Sequence, residues 1–448
     1  MAQVQAPPPE RHGETDELEA LIREARARQR RRRIAALASV LALGGAGAAG
    51  AFLSGGGGGA ARSSGGRSPS GAIESQQRRI EAAATRTFVD EMGITGGVGW
   101  AVNGAALWLS TDGGSTWRRS LPRHIARDDP VARIDQIEFV DKRHGWISAS
   151  DAIGGFPFPP DSASRRHMEI DRTSDGGRTW QASVPPGCLT KCSDAALSFL
   201  DTRRGYAVTY ARGRSRLFAT GNGGATWRYV ASAPRVSSLA FVDPRHGVAL
   251  THRAVLRTAD GGEHWRRAAV PTPRRYRGWA HAFEQLFSFR GTVLAEARYI
   301  DPSTRYGYLA IYVSDDGGAT WQARAAPLAK EFAIQSPAMF SAASPSDWVE
   351  ANRTRLDETH DGGRSWHTVV PVDWPGRAYT WDVVFASARR GWALLSRPLP
   401  DWNNPSEPWD ALVRTRDGGT HWAPIGPRMP NAQPLRTRTG CGSSCRRP

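Results

Sequence analysis

The stretch LWLSTDGGSTW at 107–117 sets two glycines behind an aspartate and a tryptophan three residues past the second glycine. Six further copies follow: TSDGGRTW at 173–180, TGNGGATW at 220–227, TADGGEHW at 258–265, SDDGGATW at 314–321, THDGGRSW at 359–366 and TRDGGTHW at 415–422. The acidic or amide position falls at Asp112, Asp175, Asn222, Asp260, Asp316, Asp361 and Asp417, a mean interval of about 51 residues. A regular period of roughly 20 to 50 residues marks a solenoid, an array or a propeller.

A second phrase recurs upstream of the first: FVDKRHGWISA from Phe139, FLDTRRGYAVT from Phe199, FVDPRHGVALT from Phe241 and FASARRGWALL from Phe385. Each unit therefore reads strand, glycine turn, strand, loop, strand, DGG turn, strand. Four short alternating strands are the content of one propeller blade. In the DGG turn the aspartate accepts hydrogen bonds from the turn's own N–H groups, and the glycines supply positive φ without steric cost. The tryptophan starts the outer strand, where its ring covers the seam between blades and its N–H finds a partner. Asn222 replaces the aspartate in the third copy, which argues against a catalytic carboxylate. A metal site would need several carboxylates per loop, and these loops offer one or two.

The DGG phrase resembles the Asp-box, the repeat named from bacterial neuraminidases. With the F-x-D-x-x-x-G-W phrase, the unit is similar to the repeat of the photosystem II stability and assembly factor family. That resemblance covers roughly 86–425 and implies an exported, all-β, seven-bladed propeller without known enzymatic chemistry. Asp-boxes also occur in sialidases, xyloglucanases and the sortilin receptor domain, so the box speaks for fold more than for function. The neuraminidase Phe-Arg-Ile-Pro segment is absent. Xyloglucanases of this type resemble two propellers in tandem with catalytic aspartates, and the length here suffices for one. Asp301, Asp382 and Asp410 form no pair assignable to acid and base. No catalytic residue is assigned, and no cofactor or metal is expected.

The formal charge is +16, yet only three of 59 basic residues are lysines, which points to an arginine-rich coding bias rather than a nucleic-acid partner. Ile34–Leu53 carries no charge across 20 residues and follows RARQRRRR at 26–33. Its length suits a bilayer span and its flank suits a cytoplasmic N-terminus. Twelve of the twenty residues are Ala or Gly, so a cleaved signal peptide and a buried Ala-rich helix are the competing readings. The expected organisation is a charged cytoplasmic segment (1–33), a transmembrane helix or signal anchor (34–53) and a Gly/Ser-rich linker (54–72). The propeller (73–427) and a tail (428–448) follow, with a short helix at 73–85.

Two surfaces are candidate binding sites. Basic turns after the F-x-D phrase, with Lys142, Arg143 and His144, Arg203 and Arg204, Arg245 and His246, and Arg389 and Arg390, ring one mouth of the channel, unless they are merely solvated. On the opposite face, irregular insertions at 155–170, 271–283, 296–308, 371–381 and 397–409 carry Trp279, Trp374, Tyr379, Trp402 and Trp409 with Arg277 and Arg305. Aromatic and arginine anchors suit a sugar or a peptide, although some of these rings must plug the blades. The four cysteines form two C-x-x-x-C pairs, Cys188/Cys192 and Cys441/Cys445. Disulfides within each pair, a bridge to the tail, or a four-thiolate zinc site satisfy the spacing, and an exported chain favours disulfides.

The chain thus reads as a membrane-anchored, extracytoplasmic propeller, or a secreted one if cleaved, that binds a protein or glycan partner as a non-enzymatic scaffold. The alternative is a sialidase-like or xyloglucanase-like glycoside hydrolase.

Overall fold

The computed structural model describes residues 69–84, 89, 91–103, 106–122, 132–151, 168–188, 192–211, 214–233, 236–304, 306–325, 331–332, 339–352, 354–374, 378–396 and 410–425. Apolar residues recur at every second position, as in Met168–Thr173, and this period builds strands with one face in a seam. Seven antiparallel sheets of four strands occupy 91–119, 132–183, 193–233, 238–267, 280–325, 339–369 and 379–424. In each blade the strands follow chain order. The fifth blade gains a short extra strand, Glu331–Phe332, on Tyr306 and Gly307.

Except between blades 5 and 6, the first strands of neighbouring blades pack on one another, the last blade's on the first's included, so they line the axis. Their free edges are a pairing hazard. A side chain from the preceding blade occupies part of the edge in blades 2, 3, 4 and 7: the Phe139 N–H donates to Thr95 Oγ1 at 3.1 Å, Phe199 to Glu138 Oε1 at 2.9 Å, Phe241 to Ser198 Oγ at 2.8 Å and Phe385 to Ser341 Oγ at 2.9 Å.

The F-x-D-x-x-x-G-W phrase is the device that joins blades. Phe139 lies opposite Gly145 across the hairpin, and its ring fills the space that any Cβ at Gly145 would need. The following aromatic reaches the next blade: Trp146 Nε1 donates to Gly223 O at 2.9 Å, and Tyr206 Oη donates to Pro244 O at 2.8 Å. Two box tryptophans bond to the preceding blade, Trp180 Nε1 to Ser120 Oγ at 3.0 Å and Trp227 Nε1 to Ser183 Oγ at 3.1 Å, whereas Trp117, Trp321 and Trp422 donate to the second glycine of their own box and the Trp265 and Trp366 N–H groups have no partner among the described residues. Trp180 and Trp227 thus bond across seams as the sequence predicts, and the other box tryptophans do not.

Because each blade is contiguous in sequence, side chains alone close the ring. Trp392 of the seventh blade packs on Trp117 of the first at 5.3 Å and donates to Gly113 O, while Arg414 donates to Ser115 Oγ. Residues 69–425 hold every blade strand and both sides of this closing seam.

Helix α1, Pro69–Ala84, precedes the ring. It begins four residues before the expected 73, because proline is well placed in a first helical turn. Ile80 is fully buried against the core of blades 6 and 7, which includes Trp374 and Trp422. Gln76 and Gln77 donate to Trp422 O and Trp374 O. Among the described residues no helix is long and apolar enough to cross a membrane. The span at 34–53, the linker to 68 and the tail from 428 lie outside them.

One expectation is corrected. The insertion at 296–308 is not irregular, since Thr292–Ile300 and Tyr306–Ser314 are arms of one long hairpin. The bulky Tyr299, Tyr308 and Tyr312 of its arms are buried between blades 4 and 5, and strand period, not loop composition, governs this stretch.

Candidate functional site

The geometry of the Asp-box decides which groups on its face are free to act. In the second copy, Asp175 Oδ1 accepts from Arg178 N at 2.8 Å and Thr179 N at 3.0 Å, and Oδ2 accepts from Thr179 Oγ1 at 2.6 Å. Thr173 Oγ1 donates to the same aspartate and accepts from Gly177 N. Burial pushes the Asp175 carboxyl up, but these donors outweigh it and hold the group well below the usual range. Asp112, Asp260, Asp316, Asp361 and Asp417 are lowered by equivalent donors. Asn222 keeps the turn by reversing one bond: its Oδ1 accepts from Thr226 N, and its Nδ2 donates to Thr226 Oγ1. His264 and His421 take the hydroxyl's place, each with Nδ1 2.8 Å from its aspartate.

The box turn is tied to the inner turn of its own blade. Gly176 N donates to Arg143 O at 2.8 Å, Gly223 N to Arg203 O at 2.7 Å, Gly261 N to Arg245 O at 2.8 Å and Gly418 N to Arg389 O at 3.0 Å. Both sets of turns therefore share one face, with the inner ones beside the axis. The inner turns spend their acids in the same way: Asp141 Oδ1 accepts from Arg143 N and His144 N, Asp201 Oδ1 from Arg203 N and Arg204 N, and Asp243 Oδ1 from Arg245 N and His246 N. Burial opposes these bonds, yet all three carboxyls stay low.

The basic side chains of these turns point outward. Lys142, Arg143, Arg203, Arg204, Arg245, Arg389 and Arg390 are all exposed. Arg204 is ion-paired to Asp201 at 2.8 Å, and Arg143 Nε reaches Ser174 O. Arg290, exposed in the inner turn of blade 5, joins the ring, although the sequence reading overlooked it. The signal was present as the short Phe289-Arg290-Gly291, which lacks the aspartate of the longer phrase. Blade 6 breaks the ring with Asp347, whose Oδ1 lies 3.0 Å from His360 Nδ1.

The opposite face is only partly assembled by the structure. Trp374 is 7 % exposed and packs on Trp422 at 5.8 Å, so it seats helix α1 and is not a ligand platform. Trp279 is half-buried between Tyr276 and Tyr308. Arg277 is exposed, and Tyr379 opens the first strand of blade 7. Trp402, Trp409 and Arg305 lie outside the described residues. Cys188 and Cys192 are joined in a buried disulfide within the pair, which removes the tail bridge and the zinc site for these two. Cys441 and Cys445 lie outside the described residues.

Among the described residues burial raises the carboxyls of Glu138, to about 7, and of Glu358. Glu138 faces the seam of blades 2 and 3 and is partly offset by the Phe199 N–H, whereas Glu358 approaches the box of blade 7 at Gly418. They sit in different seams and do not form a pair. An open groove of about 640 Å³ also runs between helix α1 and blade 7, lined by Ile73, Gln76, Arg414, Arg416 and His421 among others.

Residues 312–323, around the fifth box, match the model of the BNR/Asp-box repeat. The fold is a β-propeller of seven four-stranded blades, with a match to the Asp-box repeat in its fifth blade. No curated protein matches it in sequence. Among solved structures, a GH74 enzyme of Niastella koreensis is similar at 13 % identity and a TM-score of 0.51, with 77 % of this chain and 55 % of that one covered. The chain thus spans about half the length of that enzyme. YCF48 from Cyanidioschyzon merolae is 16 % identical, with a TM-score of 0.42 and coverage of 66 % of this chain and 85 % of that one. A structure described as YCF48 bound to D1 peptide is 16 % identical, with a TM-score of 0.31 and coverage of 64 % and 94 %.

Proposed function

We propose that the chain is a non-enzymatic binding scaffold whose basic inner turns hold an acidic segment of a protein partner. One observation carries this reading. The carboxylates of those turns are consumed by backbone N–H groups, while the guanidinium groups from blades 2, 3, 4, 5 and 7 stay exposed around one mouth. Such a ring attracts an extended anion and fixes it by charge-assisted hydrogen bonds.

The uncharged span and its arginine flank support a placement at the cell envelope, with the propeller extracytoplasmic and the N-terminus cytoplasmic. Resistance to alkaline extraction from membranes, with protease access to the propeller in intact cells, checks that placement. The partner is tested with acidic, neutral and basic peptide panels, beside a glycan array and fluorogenic glycosides. Salt-sensitive binding of acidic peptides, weakened about tenfold or more by Arg203→Ala, Arg245→Ala and Arg390→Ala together, supports the scaffold. Turnover of a glycoside, or glycan binding untouched by those substitutions, overturns it.

A further inference from the structure

The ring of basic inner turns has one member of opposite sign, in blade 6. The residue whose carbonyl closes the inner turn is His144, Arg204, His246 and Arg390 in blades 2, 3, 4 and 7, and it is Asp347 in blade 6. The two positions before it, Lys142 and Arg143 in blade 2, are Pro345 and Ser346 there. In blades 2, 3 and 4 an aspartate accepts from the turn's own N–H groups. In blade 6 a hydroxyl does that work: Ser344 Oγ accepts from Ser346 N at 3.2 Å and from Asp347 N at 2.9 Å. The Asp347 carboxylate is therefore left for side chains. Its Oδ2 accepts from Ser344 Oγ at 2.6 Å, and its Oδ1 lies 3.0 Å from His360 Nδ1.

A second carboxylate stands beside the first. Glu358 Oε1 lies 3.6 Å from His360 Nε2, so one imidazole sits between two acids. Protonation of His360 cancels one of the two charges and leaves the other. The group belongs to the Asp-box face, because Gly362 N of the sixth box donates to Ser346 O at 3.0 Å. The side chains of Asp347 and His360 keep 27 % and 46 % of their surface open. On one side stands the exposed Arg290 of blade 5, and on the other the exposed Arg389 and Arg390 of blade 7. From blade 5 to blade 7 the ring thus reads positive, negative, positive.

We infer that the segment held by the ring is not uniformly acidic but carries one basic residue between its acids, seated at Asp347 and Glu358. This names the chemistry of the partner in the proposed function and rests on that reading. A run of acids laid from blade 5 to blade 7 sets a carboxylate against Asp347, and like charges placed together across an interface cost affinity. A lysine or arginine at that step instead meets carboxylate oxygens, which have about four acceptor sites per group. The acids before and after it cover Arg290 and Arg390, whose charges otherwise repel it.

The test uses the purified full chain and capped glutamate peptides in which a single lysine, or a single glutamine, is stepped through the interior positions. Fluorescence anisotropy at low salt reads the affinity. At one position the lysine peptide is expected to bind about fivefold more tightly than its glutamine twin, the effect of one well-placed ion pair. Long-range attraction to the ring alone orders the two the other way, since the lysine peptide is the less negative. Asp347→Asn with Glu358→Gln removes the preference and tightens the all-glutamate peptide, a gain that misfolding cannot mimic. Arg203→Ala with Arg245→Ala weakens both peptides and leaves their ratio within about twofold. Glutamine peptides that bind at least as tightly at every position overturn the inference and leave the acid-binding scaffold standing. Absence of salt-sensitive binding by every acidic peptide overturns the scaffold reading, and this inference with it.

Discussion

Trp146 of blade 2 stacks face to face on Phe199 of blade 3, with ring centroids 3.5 Å apart and planes 8° from parallel. The same relationship joins Tyr206 to Phe241 at 3.6 Å and 9°. Each pair is built from the last residue of one F-x-D-x-x-x-G-W phrase and the first residue of the next. The repeat is therefore a joint between units as much as a unit. Trp227 then meets Phe199 edge-on at 6.1 Å, so that ring is enclosed from two sides.

Trp146→Ala is expected to destabilise the ring by about 3–5 kcal/mol, the usual cost of emptying a buried aromatic site. Trp146→Phe keeps a ring over Phe199 but loses the bond to Gly223 O, and should cost about 1–2 kcal/mol more than a hydrogen-bond-neutral change. Equilibrium urea unfolding separates the two. Equal costs for both substitutions would show that the stack contributes nothing.

The fold was legible because the two phrases encode both ends of a joint within each repeat. Phe139, Gly145 and Trp146 are visible as letters, and each has one geometric task. The site was legible only in part. The inner turns were readable where the phrase runs its full length, as from Phe139, Phe241 and Phe385, and Arg290 escaped because its turn is too short to hold the phrase. Trp374 and Trp402 look alike in sequence, as tryptophans in proline-rich insertions. Whether such a ring seats a helix or faces a ligand depends on helix α1, some 300 residues away, and composition carries no record of that contact.

Asp175→Ala should cost about 1–2 kcal/mol, since it strips acceptors from the Arg178 and Thr179 N–H groups. Asp175→Asn should cost less than half as much, because Asn222 holds the same turn with its amide reversed. The acid response follows from the lowered carboxyl. Its contribution is complete above the unfolded value of about 3.9 and is lost as pH falls through the folded value, so the wild type weakens below about pH 4. Melting curves from pH 2 to 7 should be flatter for the asparagine variant.

Glu138 carries the opposite sign. Its carboxyl is raised from 4.5 to about 7 by burial, which the Phe199 N–H only partly offsets, and Oε2 has no hydrogen-bond partner among the described residues. The neutral acid is the form the seam prefers, so stability should fall as pH rises from about 4.5 to 7 and level off above. Glu138→Gln keeps an acceptor for Phe199 N and cannot ionise. It is expected to gain roughly 1–3 kcal/mol over the wild type at pH 8 and almost nothing at pH 4. A constant difference across that range would mean that Glu138 stays ionised in the fold.

Helix α1 sets where the folded body starts. Its Ile80 is fully buried with Trp374 and Trp422, and Gln76 caps Trp422 O, so the outer edge of blade 7 is finished by the helix rather than by its own two-residue last strand. A chain begun at residue 85 would leave those tryptophans partly in water. Losing one buried isoleucine alone costs about 2–5 kcal/mol, and Ile80→Asp should cost at least as much because a carboxylate replaces it. The loss should appear first at the closing seam, since blade 7 also carries Trp392. Hydrogen exchange of Ile80→Asp should therefore rise at 391–395 and 113–117 before it rises in blades 3 and 4. Uniform exchange across all seven blades would show that the ring opens as one unit and that the helix does not guard its seam.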